Sequence, residues 1–303
     1  MTDQAEKLRS MASRALEKID QIAREKEARA GECRVITVTS GKGGVGKTFL
    51  SVNLGLQIAR QGKRVLLFDA DLGLSNVNVQ LGLMPLFDLG HFARGQAPLE
   101  KVICPGPSGM DVLSGGSGLV ELYSAPAALV SASLAEISRL SSRYDLIIVD
   151  TGAGLSNKVQ RFLQVAEDVL LVTTTEPTAI TDAYAVLKYL ALKAYTERVW
   201  VVVNMADDDQ GTRAYHALKG AADSFLERRP EMEFAGVVPR DQAVAQSVFL
   251  QRPVTEIMPA SRASRSLQAL AKHLAASLFC PAPGGQREWP ARSTHRVEDT
   301  ALG

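Results

Sequence analysis

Gly41-Lys-Gly-Gly-Val-Gly-Lys-Thr48 follows a short β-branched run, Arg34-Val-Ile-Thr-Val-Thr39, and leads into an apolar-rich run from Phe49 to Arg60. The order is strand, glycine-rich turn, helix, so G-x-x-x-x-G-K-T sits where its chemistry needs it. Gly43, Gly44 and Gly46 let the backbone N–H groups of this turn, that of Val45 included, curl around phosphate oxygens without Cβ clashes. The positive end of the following helix favours the same anion. Lys47 is placed to reach β and γ phosphates, and Thr48 offers a hydroxyl to Mg²⁺, a cation that prefers oxygen ligands. The stretch reads as a P-loop.

Working outward, short apolar runs recur between helical patterns: Val65 to Phe68, Met110 to Leu113, Leu146 to Val149, Val169 to Thr173, Val199 to Val203 and Phe234 to Val238. Several are almost continuously apolar, as strands are when helices cover both faces of a mainly parallel sheet. The predicted fold is α/β, a P-loop NTPase with a twisted sheet between helices. Two of these strands end in carboxylates, Asp69 and Asp71 after the first and Asp150 after the other, and strand C-termini face the crevice where open α/β sheets hold ligands. Asp150 fits a carboxylate that holds Mg²⁺ through water, and Asp71 fits the residue that orients attacking water and lies beside the metal. Asp69 supports one or the other. Gly152 and Gly154 give the segment after Asp150 freedom to respond to a γ-phosphate.

Lys42, a second lysine inside the loop, gives the pattern K-G-G-x-G-K-T, which resembles the deviant Walker A motif of the MinD/ParA class. That resemblance implies ATP and Mg²⁺ as cofactors, slow regulatory ATP hydrolysis, and a homodimer formed around ATP. In that dimer Lys42 crosses the interface to the partner's nucleotide and counts with Lys47 and Asp71 among the catalytic residues. It also implies adenine contacts at Asn204, where the run from Val199 ends, and at Pro239 in Gly236-Val-Val-Pro239.

Asp69-Ala-Asp-Leu-Gly-Leu-Ser-Asn76, Asp150-Thr-Gly-Ala-Gly154, Glu176-Pro-Thr-Ala-Ile-Thr-Asp-Ala-Tyr184 and Asn204-Met-Ala206 together resemble the flagellar branch of the class, FlhG, also called FleN or YlxH. Thr151-Gly152 departs from the Ser-Pro usual in cell-division MinD. The resemblance spans roughly Arg34 to Phe279 and implies regulation of flagellar number or placement. It further implies partners among flagellar C-ring proteins or a flagellar transcription regulator, and peripheral contact with the inner face of the cell membrane. A ParA-like partition ATPase and a MinD-like division-site regulator are the alternatives on the same fold.

Ahead of the P-loop, residues 1–30 carry thirteen charged side chains between Asp3 and Ala30, with Leu8, Met11, Ala12, Ala15, Ile19 and Ile22 at helical steps. This reads as an amphipathic arm preceding a main domain of 31–280. Asp3-Gln-Ala-Glu-Lys-Leu-Arg9 is similar to the DQAxxLR element with which FlhG proteins stimulate the flagellar GTPase FlhF. By that likeness Gln4 and Arg9 present a water-positioning amide and a cation to the neighbouring active site. Residues 281–303, rich in Pro, Gly and charge, read as a flexible tail and make a poor membrane-surface helix.

Composition excludes several other classes. The 303 residues hold 34 Lys and Arg against 33 Asp and Glu, a net charge of +1, which disfavours nonspecific DNA coating. Cys33, Cys104 and Cys280 form no CxxC pair, so neither a disulfide framework nor an iron–sulfur carrier is expected. The four histidines are equally scattered. The polar start and the lack of a run of ~18 apolar residues predict a cytoplasmic protein that is neither exported nor integral.

Overall fold

The computed structural model describes residues 33–71, 76–115, 140, 142–193, 196 and 198–279. The predicted arm with Gln4 and Arg9, and the predicted tail, lie outside the described residues. In chain order the elements are β1 (Arg34–Thr39), α1 (Lys47–Ala59), β2 (Val65–Ala70), α2 (Asn76–Leu81), α3 (Leu89–Ala93), α4 (Leu99–Val102), β3 (Ile103–Pro105) and β4 (Asp111–Ser114). There follow β5 (Leu146–Thr151), α5 (Asn157–Val165), β6 (Asp168–Thr173), α6 (Pro177–Lys193), β7 (Arg198–Asn204), α7 (Asp208–Phe225), β8 (Glu231–Val238), α8 (Gln242–Phe249), α9 (Val254–Ile257) and α10 (Arg262–Phe279).

The strands form one sheet in the order β3-β4-β2-β5-β1-β6-β7-β8. Every neighbouring pair is parallel except β3 with β4. β1 lies between β5 and β6, so the loop after it emerges at the middle of the sheet's C-terminal edge. Register sets Asp69 beside Asp150 on adjacent strands. The ends of β1, β2, β5, β7 and β8 thus carry the P-loop, Asp71, Asp150, Asn204 and Pro239 to the same edge of the sheet, where an open parallel sheet forms its crevice.

Helices cover both faces, which explains the continuous apolar runs. Because side chains alternate across a strand, Ile36, Val38, Ile148, Leu170, Trp200 and Val202 pack against α1 and α10, whose Leu267, Leu270, Leu274 and Leu278 are buried there. On the opposite face Val169, Leu171, Val199, Val201 and Val203 meet α5, α6 and α7. Leu66, Phe68 and Val149 pack with Leu140, Tyr144 and Phe162 on that side of the sheet's other half. Among the described residues no helix is long and apolar enough to cross a membrane.

Far from the crevice, at the starts of the strands, Asp168 is 1% exposed and fully engaged. Its carboxylate accepts from Arg34 at 2.6 Å, from Arg198 at 2.8 Å and from the Trp200 indole at 3.2 Å. The Arg198 guanidinium also stacks over the Trp200 ring, 4.5 Å from its centroid. One buried charge therefore ties β1, β6 and β7 together with its hydrogen bonds satisfied, the condition under which such burial is tolerated.

Candidate nucleotide site

The loop after β1 is shaped by its glycines. Gly44 and Gly46 have φ of +79° and +94°, in the left-handed region that favours glycine. A Cβ on Gly46 would run into the Asn204 side-chain nitrogen, and one on Gly41 would overlap the backbone of Asp182 in α6. The loop is thus pressed between the end of β7 and the first half of α6. Val45 is buried, while Gly43 and Gly44 face solvent. The Ser40 hydroxyl donates to the Lys42 carbonyl at 2.7 Å. No side chain caps α1 at Gly46 and its first turn carries no acidic residue, so the helix presents its N-terminal donors unclaimed to an anion.

Lys47, the first residue of α1, is buried. Desolvation lowers its pKa, while Asp150 and Asp71 pull the other way. Asp150 is fully buried, and loss of solvent raises its carboxyl to about 6 against hydrogen bonds from Thr48 and Ser51 and the charge of Lys47. Ser51 donates to Asp150 Oδ1 at 2.9 Å, whereas Oδ2 is buried with no hydrogen-bond partner among the described residues. Asp69 is pushed up to about 8, first by burial and then by the neighbouring charge of Asp150. It still accepts from the amides of Asp71 at 3.2 Å and Val77 at 3.4 Å, which fixes the start of α2.

Asp71 and the segment after β5 meet directly: a Cβ on Gly152 would stand 3.2 Å from Asp71 Oδ1. Gly154, at φ +79°, donates its amide to the Ser40 carbonyl at 2.8 Å. The two loops that end in carboxylates are thereby joined to each other and to the P-loop.

The remaining predicted residues lie at the rim. Lys42 does not point into its own crevice. Its ammonium pairs with Glu176 at 2.5 Å and bonds the Thr178 hydroxyl at 3.1 Å, at the start of α6. Asn204 is 3% exposed, and its amide nitrogen donates to the Val45 carbonyl at 2.8 Å. Pro239 is buried beside it, since the Ala206 amide donates to the Val238 carbonyl at 3.3 Å. The Asp241 side chain accepts from Ala243 at 2.9 Å and Ala263 at 3.1 Å, fixing the loop between β8 and α8 against α10.

Sequence reasoning did not single out Ser51, nor the Glu176 and Thr178 partnership with Lys42. Ser51 stands four residues past Lys47, a spacing that puts both on one helix face, and that was the available signal. The Lys42 partners are 134 and 136 residues away and carry no local signal.

With lysine, hydroxyls, uncapped helix and buried carboxylates gathered around one loop, the arrangement can bind a polyphosphate and a hydrated cation. Residues 36–254 match the family described as the CobQ/CobB/MinD/ParA nucleotide binding domain. The antiactivator FleN of Pseudomonas aeruginosa is 40% identical over 240 residues, 79% of this chain and 85% of that protein. The flagellum site-determining protein YlxH of Helicobacter pylori is 33% identical over 250 residues, 82% and 84% of the two chains. Among solved structures, MinD in the MinC:MinD cell division complex of Aquifex aeolicus superimposes with a TM-score of 0.65 at 28% identity, covering 80% of this chain and 96% of that one. The chain thus has the nucleotide-binding ATPase fold of the MinD/ParA family and belongs to its flagellar branch, FlhG, together with FleN and YlxH.

Proposed function

We propose that the chain is a Mg²⁺-dependent ATPase that works as a dimerising switch for flagellar number or placement. The carrying observation is the meeting of Lys47, Asp71 and Asp150 at the P-loop, with one buried oxygen of Asp150 left without a partner among the described residues. Thr48, Asp71 and Asp150, the last through water, would hold the cation. Their donors are all oxygens, as Mg²⁺ prefers. When bound, it neutralises charge on the terminal phosphates. The P-loop amides from Gly43 to Thr48 bind phosphate, Lys47 grips its terminal oxygens, Asp71 orients the attacking water, and Asn204 and Pro239 border the adenine.

In the ATP-bound homodimer Lys42 leaves Glu176 and reaches the partner's nucleotide, and hydrolysis lets the pair separate. The names of FleN and YlxH, an antiactivator and a flagellum site-determining protein, support a flagellar regulator or a C-ring protein as receiver. The 1–30 arm stimulates FlhF through Gln4 and Arg9, the 31–280 domain supplies the switch, and the protein acts in the cytoplasm with peripheral membrane contact. The test is phosphate release by the full chain with Mg²⁺ and ATP, expected to fall at least about 100-fold in Lys47→Ala. Full-length protein should also speed GTP hydrolysis by FlhF. Equal stimulation by a Gln4→Ala, Arg9→Ala double variant would remove the arm's role.

A further inference from the structure

Ser51 is a wholly buried residue of α1, one turn beyond Lys47. Its oxygen lies 2.9 Å from Asp150 Oδ1 and 3.1 Å from the Lys47 carbonyl. A serine hydroxyl has one hydrogen to give. A carboxylate is the stronger acceptor, and the Lys47 carbonyl is already the acceptor of the helical bond from the Ser51 amide. The hydrogen therefore belongs to Asp150.

Asp150 is fully buried, and Oδ2 has no hydrogen-bond partner among the described residues, an arrangement that costs free energy unless a further group engages that oxygen. Thr48 is the other hydroxyl on this carboxylate. If Thr48 is given to the cation, Ser51 alone remains to fix the carboxyl group's rotation. We infer that Ser51 is a positioning residue that holds Asp150 by Oδ1 and so reserves Oδ2 for the hydrated magnesium of the bound nucleotide. This rests on the ATPase reading above. It is a supporting contact of the type that orients metal ligands from outside their shell.

The test uses the isosteric pair Ser51→Thr and Ser51→Val, which differ only in keeping or losing the hydroxyl. A small cavity adjoins Ser51, bordered by Ile36, Val38, Leu54 and Ile58, and both variants add a methyl at the same position, so any packing cost of that methyl is common to the two. Binding of a fluorescent ADP analogue to the full chain is titrated with Mg²⁺ and repeated in EDTA. Ser51→Val should need about 10-fold more Mg²⁺ for the half-maximal effect, with its EDTA affinity equal to that of the wild type. Ser51→Thr should titrate as the wild type does. A Val variant with wild-type Mg²⁺ dependence, or one that loses affinity equally in EDTA, overturns the role of Ser51 while leaving the ATPase reading intact. A wild-type protein whose nucleotide affinity ignores Mg²⁺ overturns both.

Discussion

The side-chain amide of Asn204 donates to the carbonyl oxygen of Val45 at 2.8 Å, joining the end of β7 to the P-loop across 159 residues of sequence. Both residues are buried, so the bond is shielded from water. Asn204→Ala leaves a buried carbonyl unpaired, which costs about 1–3 kcal/mol. Nucleotide affinity, measured by calorimetry, should fall about 10-fold, with ATP losing more than GTP if the amide also borders adenine.

Gly46 is held in place by that same amide. Gly46→Ala faces both the left-handed φ of +94° and a collision with the Asn204 side chain. Gly44→Ala meets nothing within 4 Å among the described residues and carries the backbone cost. Thermal unfolding should show Gly44→Ala destabilised by about 1 kcal/mol and Gly46→Ala by more, and Gly46→Ala should also lose nucleotide binding.

Asp69 gives the nucleotide-free protein a pH dependence of definite sign. Its pKa rises from 3.8 unfolded to about 8 folded, so between these values the native state binds the extra proton. Its contribution to stability is complete below the lower value and is lost as pH rises through the upper one. Asp69→Asn should therefore flatten the decline in Tm between roughly pH 4 and pH 8. A variant whose Tm keeps the wild-type slope would exclude Asp69 as its source.

Asp168 separates stability from function. Asp168→Ala takes a shared acceptor from Arg34, Arg198 and Trp200. The two part-exposed arginines keep Glu167 and Glu233, so the loss should be about 1–3 kcal/mol, that of unmade hydrogen bonds. Since the network lies at the opposite end of the strands from the P-loop, the folded fraction should bind nucleotide with unchanged affinity. Denaturant unfolding and calorimetry read the two effects separately.

Much of this was legible because its signals are local. The P-loop is one contiguous octapeptide, and the strands that carry Asp69, Asp71 and Asp150 are continuous apolar runs. Boundaries were less clear: the run Leu146 to Val149 continues through Thr151 because Asp150 and Thr151 keep pairing with β2. β8 begins three residues before Phe234 because an edge strand leaves Glu231 exposed and Glu233 half-buried. β3, three residues long with Pro105 at its end, carries no periodicity and pairs antiparallel at the opposite edge. The partners of Lys42 and Asn204 come from distant segments joined only by sheet topology, which composition and spacing do not encode.

The central claim is that ATP joins two copies and that its hydrolysis releases them. Asp71→Ala should bind ATP without cleaving it, so light scattering of that variant with Mg²⁺ and ATP is the most direct test. The account predicts twice the monomer mass with ATP, the monomer mass with ADP, and loss of the dimer when Lys42→Ala is added. An Asp71→Ala protein that binds ATP yet stays monomeric would contradict it.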